Sequence, residues 1–339
     1  MPSTKRVTLA DVARHAGVSR ATASLVLRDA GNLPDRTRQR VRDSMRALGY
    51  VYHRGAASLR ASRTFSVGLV VPDLGNPFTA EFAQGVEEVL ERVGIVTLMV
   101  NAFDDAGRQH KLITSLLERQ VDGFVIFPAV EATATRLPPA PDPTVPTVLA
   151  VRDLGLPGSS YVGHDNAAGG QLAAEHLLEH GCRQLGFLGG EAILPPRQER
   201  AAGIRAALAA VPGAALTLDV AGPATGDWAR RTVTELLATD GLPDGIICQS
   251  DVVAFGLHRA IRDRAPELLD TVRVVSHDDV AEAAWWEPPL TSVAAHGTDL
   301  GRQCARTLLD RLDHPDNPGE RILLPPRLVV RRSCGCLRR

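Results

Sequence analysis

What the sequence lacks narrows its class before any motif is read. No apolar run approaches the roughly 18–20 residues that a membrane helix needs, and the opening Met-Pro-Ser-Thr-Lys-Arg has no apolar stretch of a secretion signal. The expectation is a cytoplasmic chain without a membrane partner. Five cysteines, at 182, 248, 304, 334 and 336, are too few and too scattered for a disulfide framework. Cys334-Gly-Cys336 is too isolated in sequence for tetrahedral metal binding and reads as a frayed tail, so no metal and no cofactor are expected. There is no Gly-x-Ser-x-Gly elbow, no His-Glu-x-x-His and no Cys-x-x-Cys, which disfavours an enzyme. Gly186-Phe-Leu-Gly-Gly190 is neither a P-loop nor a dinucleotide fingerprint. The tail after Arg332 carries no leucine heptads, so a dimer is expected rather than a coiled-coil tetramer.

What is present begins with Thr8-Leu-Ala-Asp-Val-Ala-Arg-His-Ala-Gly-Val-Ser-Arg-Ala-Thr-Ala-Ser-Leu-Val-Leu-Arg28. Leu9, Val12, Ala13 and Ala16 form one helical stripe, and Thr8 with Asp11 resembles a capping box. Gly17 breaks that helix, and Ser19 can cap a second one from Arg20 to about Leu27. Ala23, Val26 and Leu27 turn inward there, leaving Arg20, Ala21 and Leu25 outward. Asn32 to Tyr50 reads as a third helix with Val41, Met45 and Leu48 inside, an arginine-rich outer face, and Gly49 as its stop. A small αα-hairpin would share the stripe and the glycine, but the charge argues further. Residues 1–63 hold 13 Lys+Arg against 4 Asp+Glu, whereas the whole chain holds 38 against 39. A basic head on an acidic body is the footprint of phosphate-backbone binding, and the paired helices suit a DNA major groove.

Thr8-Leu-Ala-Asp-Val-Ala, Ala16-Gly-Val-Ser, Ala21-Thr and Leu48-Gly-Tyr50 together resemble the DNA-binding head of the lactose-repressor (LacI/GalR) family. The resemblance implies DNA contacts from Thr8, Ser19, Arg20, Ala21, Thr22, Leu25, Arg28, Asn32, Thr37, Arg38 and Tyr50. It also implies a hinge at 53–63, too short to hold helix alone, that folds on DNA. There Ala56 and Leu59 would act, Leu59 as an apolar wedge in the minor groove. The expected partners are pseudo-palindromic operator DNA, a second copy of the chain, and a small-molecule effector of carbohydrate type.

From Ser66 onward apolar strands alternate with amphipathic helices, which means parallel sheets covered on both faces. The rhythm restarts after Tyr161-Val-Gly-His-Asp-Asn166, so two similar α/β lobes are expected. The resemblance implies a bilobed, periplasmic-binding-protein-like core with three crossings between lobes. Its boundaries are 1–52 for the helix-turn-helix head and 64–332 for the core. Lobe one spans about 64–164 and 295–321, and lobe two about 165–294 and 322–332. A tail covers 333–339.

Ligands of open parallel sheets sit beyond the carboxyl ends of the strands, and two facing lobes make a cleft there. Asp73, Asn76, Phe78, Asp165, Asn166, Ser250 and Asp278 follow strands, and Arg200 opens an Arg-x-x-Gly that matches the family's motif. By the resemblance, Arg200 and Asp278 hydrogen-bond an effector, Phe78 packs on it, and Ser250 lines the pocket. Asn76-Pro77 is equally a turn, and Asp251 reads better as an N-cap than as a contact. Arg200 has a surface alternative, and Asp278-Asp279 could be a solvated pair. Trp228 either stacks on a sugar face or packs the start of a helix. The family's usual Gly-Tyr/Phe-Asp is replaced by Ser276-His277-Asp278, and a position often glutamine by Ala295-His296. Two histidines near the cleft suggest a pH-sensitive pocket or a different hydrogen-bonding ligand. Trp285 and Trp286, two of only three tryptophans, precede Pro-Pro-Leu-Thr and are expected at the dimer interface, with packing inside the lobe as the alternative for Trp286.

A ligand-controlled transcription regulator, most simply a repressor placed at the nucleoid, accounts for these features. A transporter's solute-binding protein shares the bilobed fold, but the basic head and missing secretion signal oppose it. An enzyme on the same fold lacks a catalytic constellation.

Overall fold

The computed structural model describes residues 7–27, 29–51, 63–132, 145–239 and 241–336. They fall in two compact units, Met1–Thr64 and Phe65–Arg339. Arg28, Ala56, Leu59, nearly all of the hinge and most of the proline-rich stretch 138–146 lie outside the described residues.

The head has three helices, α1 (Leu9–His15), α2 (Arg20–Leu27) and α3 (Asp35–Ala47). The capping box forms: the Asp11 amide donates to Thr8 Oγ1 at 3.3 Å, and the Thr8 amide donates to Asp11 Oδ2 at 3.0 Å. Gly17, at φ +64°, makes the turn, and Ser19 Oγ accepts from the Thr22 amide at 3.0 Å. Val12, Ala13, Ala16, Ala23, Val26 and Val41 are the buried core of this unit. The third helix starts at Asp35 instead of Asn32. The helical region is disfavoured for a residue before proline, so Leu33-Pro34 delays the start.

The larger unit opens with β1 (Ser66–Val71), α4 (Pro77–Arg92), β2 (Val96–Asn101), α5 (Ala106–Glu118), β3 (Gly123–Ile126), β4 (Thr147–Ala150) and β5 (Ser160–His164). It continues with α6 (Asn166–Glu179), β6 (Gln184–Leu188), α7 (Pro195–Ala209), β7 (Ala215–Val220), α8 (Gly226–Ala238), β8 (Gly245–Cys248), α9 (Asp251–Arg264) and β9 (Arg273–Asp278). Then come α10 (Ala281–Trp285), β10 (Thr291–Ala294), α11 (Gly297–Asp313), β11 (Arg321–Leu324) and β12 (Arg327–Val329). They build two six-stranded sheets of equivalent order, β11-β5-β4-β3-β1-β2 and β12-β10-β9-β8-β6-β7. The central strands β1, β3, β4, β5 and β8 are almost wholly buried, as continuous apolar runs in covered parallel sheets must be.

Three expectations are corrected. Ile322 to Leu324 belong to the first sheet, paired parallel with Val162 to His164, so the last crossing falls at Pro325-Pro326. An exposed edge strand with alternating burial carries no sign of which sheet it joins. β12 runs antiparallel to β10, an exception to parallel pairing. Residues 333–336 are not a frayed tail: Cys334 is wholly buried, and the Val274 amide donates to the Ser333 carbonyl at 2.9 Å. Ser333 Oγ also donates to Val274 O at 2.7 Å and accepts from the Thr291 amide at 2.8 Å.

Candidate functional site

The outer end of α2 presents Ser19, Arg20 and Ala21 to solvent, with Thr22 and Leu25 half-buried behind them. Asn32 is also exposed. Other expected contacts have work inside the head. Thr8 holds the capping box, and Tyr50 packs against the core. Thr37 is half-buried, and Arg38 donates to Asp29 Oδ1 at 3.0 Å and to Gly31 O at 2.6 Å, bracing the loop between α2 and α3. Arg36 and Arg40 on α3 stay exposed and add to the basic face.

The second site is a cavity of about 200 Å³ between the carboxyl edges of the two sheets. Asp73, Asn76 and Phe78 line it after β1; Phe127 lines it after β3, Arg152 after β4, and His164 ends β5. From lobe two come Asn166, Glu191, Arg200, Gln249, Ser250 and Asp278. Asn76 does two jobs, because it also caps α4: its Oδ1 accepts from the Phe78 amide at 3.0 Å, and Pro77 takes the first helical position.

Arg200 enters the cavity because α6 and α7 pack unusually close. A Cβ at Gly203 would stand 1.9 Å from the Ala167 carbonyl oxygen, so only glycine permits this approach. The guanidinium is then fixed by Nε donating to Asn166 Oδ1 at 3.0 Å and Nη1 donating to Gln249 O. Asn166 is held in turn by Glu199 at 2.9 Å. Burial pushes the Arg200 pKa down, offset mainly by the nearby Asp278 carboxylate.

Asp278 ends β9 at φ +110°, a conformation L side chains rarely adopt, and Asp279 follows at +57°. The turn is pinned by Asp251, which is buried and accepts from Ser276 Oγ, from Ser292 Oγ at 2.8 Å, and from the Val280 amide at 2.9 Å. Burial raises the Asp278 carboxyl well above its ordinary range, Asp251 raises it further, and Arg200 opposes both. Asp251 itself is pushed up to about 6, chiefly by burial. It is thus neither an N-cap nor a lining residue, since Ser250 takes the cap position and Asp251 the first helical one. Gln249 Oε1 and Ser250 Oγ are buried with no hydrogen-bond partner among the described residues, although both residues line the cavity.

Several expected residues stand elsewhere. Asp165 caps α6, accepting from the Ala168 amide at 2.9 Å, while its neighbour Asn166 faces the cavity. Trp228 packs under Gly222, where a Cβ would come within 2.3 Å of the indole, and offers no stacking face to the cavity. His277 is buried away from the lining, with Nδ1 on Cys248 O at 3.0 Å; His296 is exposed. The histidine that does line the cavity is His164, held down to about 4 by burial and then by Arg200. Trp286 stacks on Phe255 of its own lobe, centroids 4.3 Å apart, whereas Trp285 is 88% exposed. Asn166, named with Asp165 at the strand end, does line the cavity; the sequence reading missed His164, Phe127, Glu191, Gln249 and the pair Asp104–Arg152, whose Nη1 to Oδ1 distance is 2.9 Å. Position at a strand end was the available signal for His164, Phe127 and Gln249.

Comparison with known proteins places these sites in context. Residues 8–52 match the bacterial regulatory proteins of the lacI family, and residues 174–334 match a periplasmic binding protein-like domain. The HTH-type transcriptional regulator CelR of Thermobifida fusca is 33% identical over 347 residues, covering 98% of this chain and 100% of that one. A solved transcriptional regulator CelR–cellobiose complex has a TM-score of 0.70 at 32% identity and covers 97% of this chain and 100% of its own. A lac repressor dimer bound to operator and the anti-inducer ONPF superposes with a TM-score of 0.86 at 23% identity, covering 97% and 99%, which shows the shared fold. Among the described residues no helix is long and apolar enough to cross a membrane. The chain belongs to the lacI family of bacterial regulatory proteins: it is a ligand-responsive, DNA-binding transcription regulator, not an enzyme.

Proposed function

We propose that this regulator is a cytoplasmic, nucleoid-associated homodimeric repressor whose affinity for a pseudo-palindromic operator is set by a carbohydrate in the interlobe cavity. The observation that carries the ligand class is the lining itself. Arg200, Asp278, Asn166, Gln249 and Ser250 offer donors and acceptors from one side, two of them without a partner among the described residues, while the aromatic side chains of Phe78 and Phe127 line the other. A hydroxyl-rich ring satisfies both walls. The cellobiose complex of the CelR structure supports that class. A cavity of about 200 Å³ suits one sugar ring.

Asp73 and Asn76 join the ligand contacts in this reading, and Asp165 and Trp228 do not. On the DNA side, Arg20 reads a base edge as a bidentate guanine partner, flanked by Ser19, Ala21, Thr22 and Leu25. Thr8, Arg28, Asn32, Thr37, Arg38 and Tyr50 orient the head, and Ala56 and Leu59 act in the minor groove. Exposed Trp285 anchors the dimer contact. Occupancy controls operator affinity to the extent that the sugar binds two lobe arrangements unequally.

A thermal-shift screen of the full chain against sugars, polyols and nucleobases identifies the ligand, since a bound sugar raises the melting temperature by mass action. Operator and sugar affinities are then measured for two variants. Asp278→Ala keeps basal operator binding and loses the response to sugar; Leu59→Gly weakens operator binding and keeps sugar affinity. An Asp278→Ala protein that binds and responds like the parent overturns the cavity assignment. Arg20→Ala costs about 1–3 kcal/mol on the preferred operator and relaxes preference at one position; an equal loss on unrelated DNA makes Arg20 a phosphate contact.

A further inference from the structure

The C-terminal Cys334-Gly-Cys336, unpromising as a sequence motif, meets two histidines from the far end of α6. His176 lies in the last turn of that helix and His180 is its C-cap residue, so their spacing stacks them on one face, ring centroids 4.4 Å apart. Gly335 turns the chain at φ +85°, which brings the two cysteine sulfurs to 3.1 Å. Cys336 Sγ lies 2.7 Å from His180 Nε2 and 3.5 Å from His176 Nε2. One ligand atom from each of His176, Cys334 and Cys336 lies within 4.8 Å of the others. We propose that Cys334, Cys336, His176 and His180 form a tetrahedral zinc site that fastens the end of the chain to lobe two.

Three features support zinc. Two thiolates and two imidazoles are a closed, structural donor set, and a tetrahedron with Zn–S and Zn–N bonds of ordinary length has edges of roughly 3.3–3.8 Å. The contacts at Cys336, 2.7 Å to His180 Nε2, 3.1 Å to Cys334 Sγ and 3.5 Å to His176 Nε2, are at or below those edges, whereas His180, outside the 4.8 Å group of the other three, has to turn inward to close the fourth corner. His180 already has the required orientation: Nδ1 lies 2.7 Å from the His176 carbonyl oxygen, which can only accept, so the neutral ring carries its proton there and turns the Nε2 lone pair toward Cys336. Burial also fits, because Cys334 and His176 are buried beside the apolar cluster of Leu177, Leu178 and Phe187, while Cys336 and His180 are half-buried and leave a path for the ion. Binding displaces one proton from each thiol to solvent.

The site clamps a segment that matters to the sheet. Ser333, next to Cys334, bonds both Val274 of β9 and Thr291 of β10, and β9 carries Asp278 at its end. α6, which supplies both histidines, begins with Asn166, the residue that orients Arg200. Zinc at this position ties those two elements together from the side opposite the ligand-bearing ends.

Metal content is measured on the full chain, purified without chelator or a metal-binding tag, and the chelated protein is titrated with zinc and with cobalt(II). One zinc per chain is expected, cobalt gives the intense visible bands of a tetrahedral thiolate site, and added zinc raises the melting temperature. Cys336→Ser and His180→Gln, at half-buried positions that spare the packing of Cys334, weaken zinc binding by more than the roughly 10–100-fold that loss of an outer-shell partner costs. The proposal is overturned if either variant binds zinc as tightly as the parent, or if cobalt shows no tetrahedral thiolate spectrum. It is overturned equally if intact mass shows a Cys334–Cys336 disulfide in a metal-free chain that takes up no zinc after reduction.

Discussion

On its lobe-one side the cavity wall joins Phe78 and Phe127 to Asp73, Asn76, His164 and an ion pair already closed between Asp104 and Arg152; on its lobe-two side stand Arg200, Asp278, Gln249 and Ser250. The sheets behind these walls have equivalent strand orders, so topology does not account for the contrast. The supports of the side chains do. Asp104 Oδ1 accepts both from Arg152 and from the Val130 amide, and Arg152 also donates to Pro128 O, so those charges are occupied with the protein itself. Across the cavity, Gln249 Oε1 and Ser250 Oγ lack partners among the described residues, and Asp278, at positive φ, stands near Arg200. Lobe one brings both phenylalanines together with polar groups, such as Asp73, Asn76 and Asp104, that already accept from its own backbone; lobe two holds the orphaned polar atoms a ligand would satisfy.

The largest effect that tests this contrast is Gly203→Val. Valine meets the Ala167 carbonyl and forces α7 off α6, costing about 3 kcal/mol or more by overpacking and displacing Arg200. Urea denaturation measures the stability and sugar titration the affinity; wild-type values for both would show that the close approach does not position Arg200. Next in size, Asp278→Ala costs about 2–3 kcal/mol of sugar affinity, the scale of a hydrogen bond to a charged group. Its lobe-one counterpart, Phe78→Ala, costs about 1 kcal/mol, the scale of an aromatic contact. Calorimetry that ranks Phe78 above Asp278 reverses the assignment of polar recognition to lobe two.

Titration separates the lobes more finely. Asp251 is held up to about 6 against an unfolded value of about 3.9, so its contribution to stability is fullest below about pH 4 and is lost as pH rises through 6. His164 is held down to about 4 against about 6.5 unfolded; its contribution is complete above pH 6.5 and is lost as pH falls through 4. Asp251→Asn therefore flattens the loss of stability between pH 4 and 7, whereas His164→Gln flattens part of the acid limb. His258 and His277, also held down by burial, account for more of that limb. Melting temperatures across pH check both, and an unchanged profile in Asp251→Asn would remove the carboxyl from the account. The smallest effect is Trp286→Phe, about 1 kcal/mol of stability through the Phe255 stack with no change in assembly. Trp285→Asp instead shifts sedimentation toward monomer if the exposed ring is the dimer anchor.

Residues whose roles depend on near neighbours in the chain were legible in sequence. The Thr8–Asp11 capping box, the Gly17 turn and the buried strand Ser66–Val71 rest on spacings of a few residues, and the charge of the head needs no structure at all. Arg200, Asp278, Phe78 and Ser250 were found because they follow strands and match a motif. Tertiary structure alone decided the rest. It sent Asp165 into a cap and Asn166 into the cavity, one residue of register apart. It placed β11 in the first sheet, chose His164 over His277 as the lining histidine, and carried Cys334 and Cys336 to His176 and His180. The physical reason is range. Helical faces, caps and strand alternation repeat within one or two turns of chain, whereas these convergences are set by which strands pair and how closely helices approach, and no local pattern of residues encodes either.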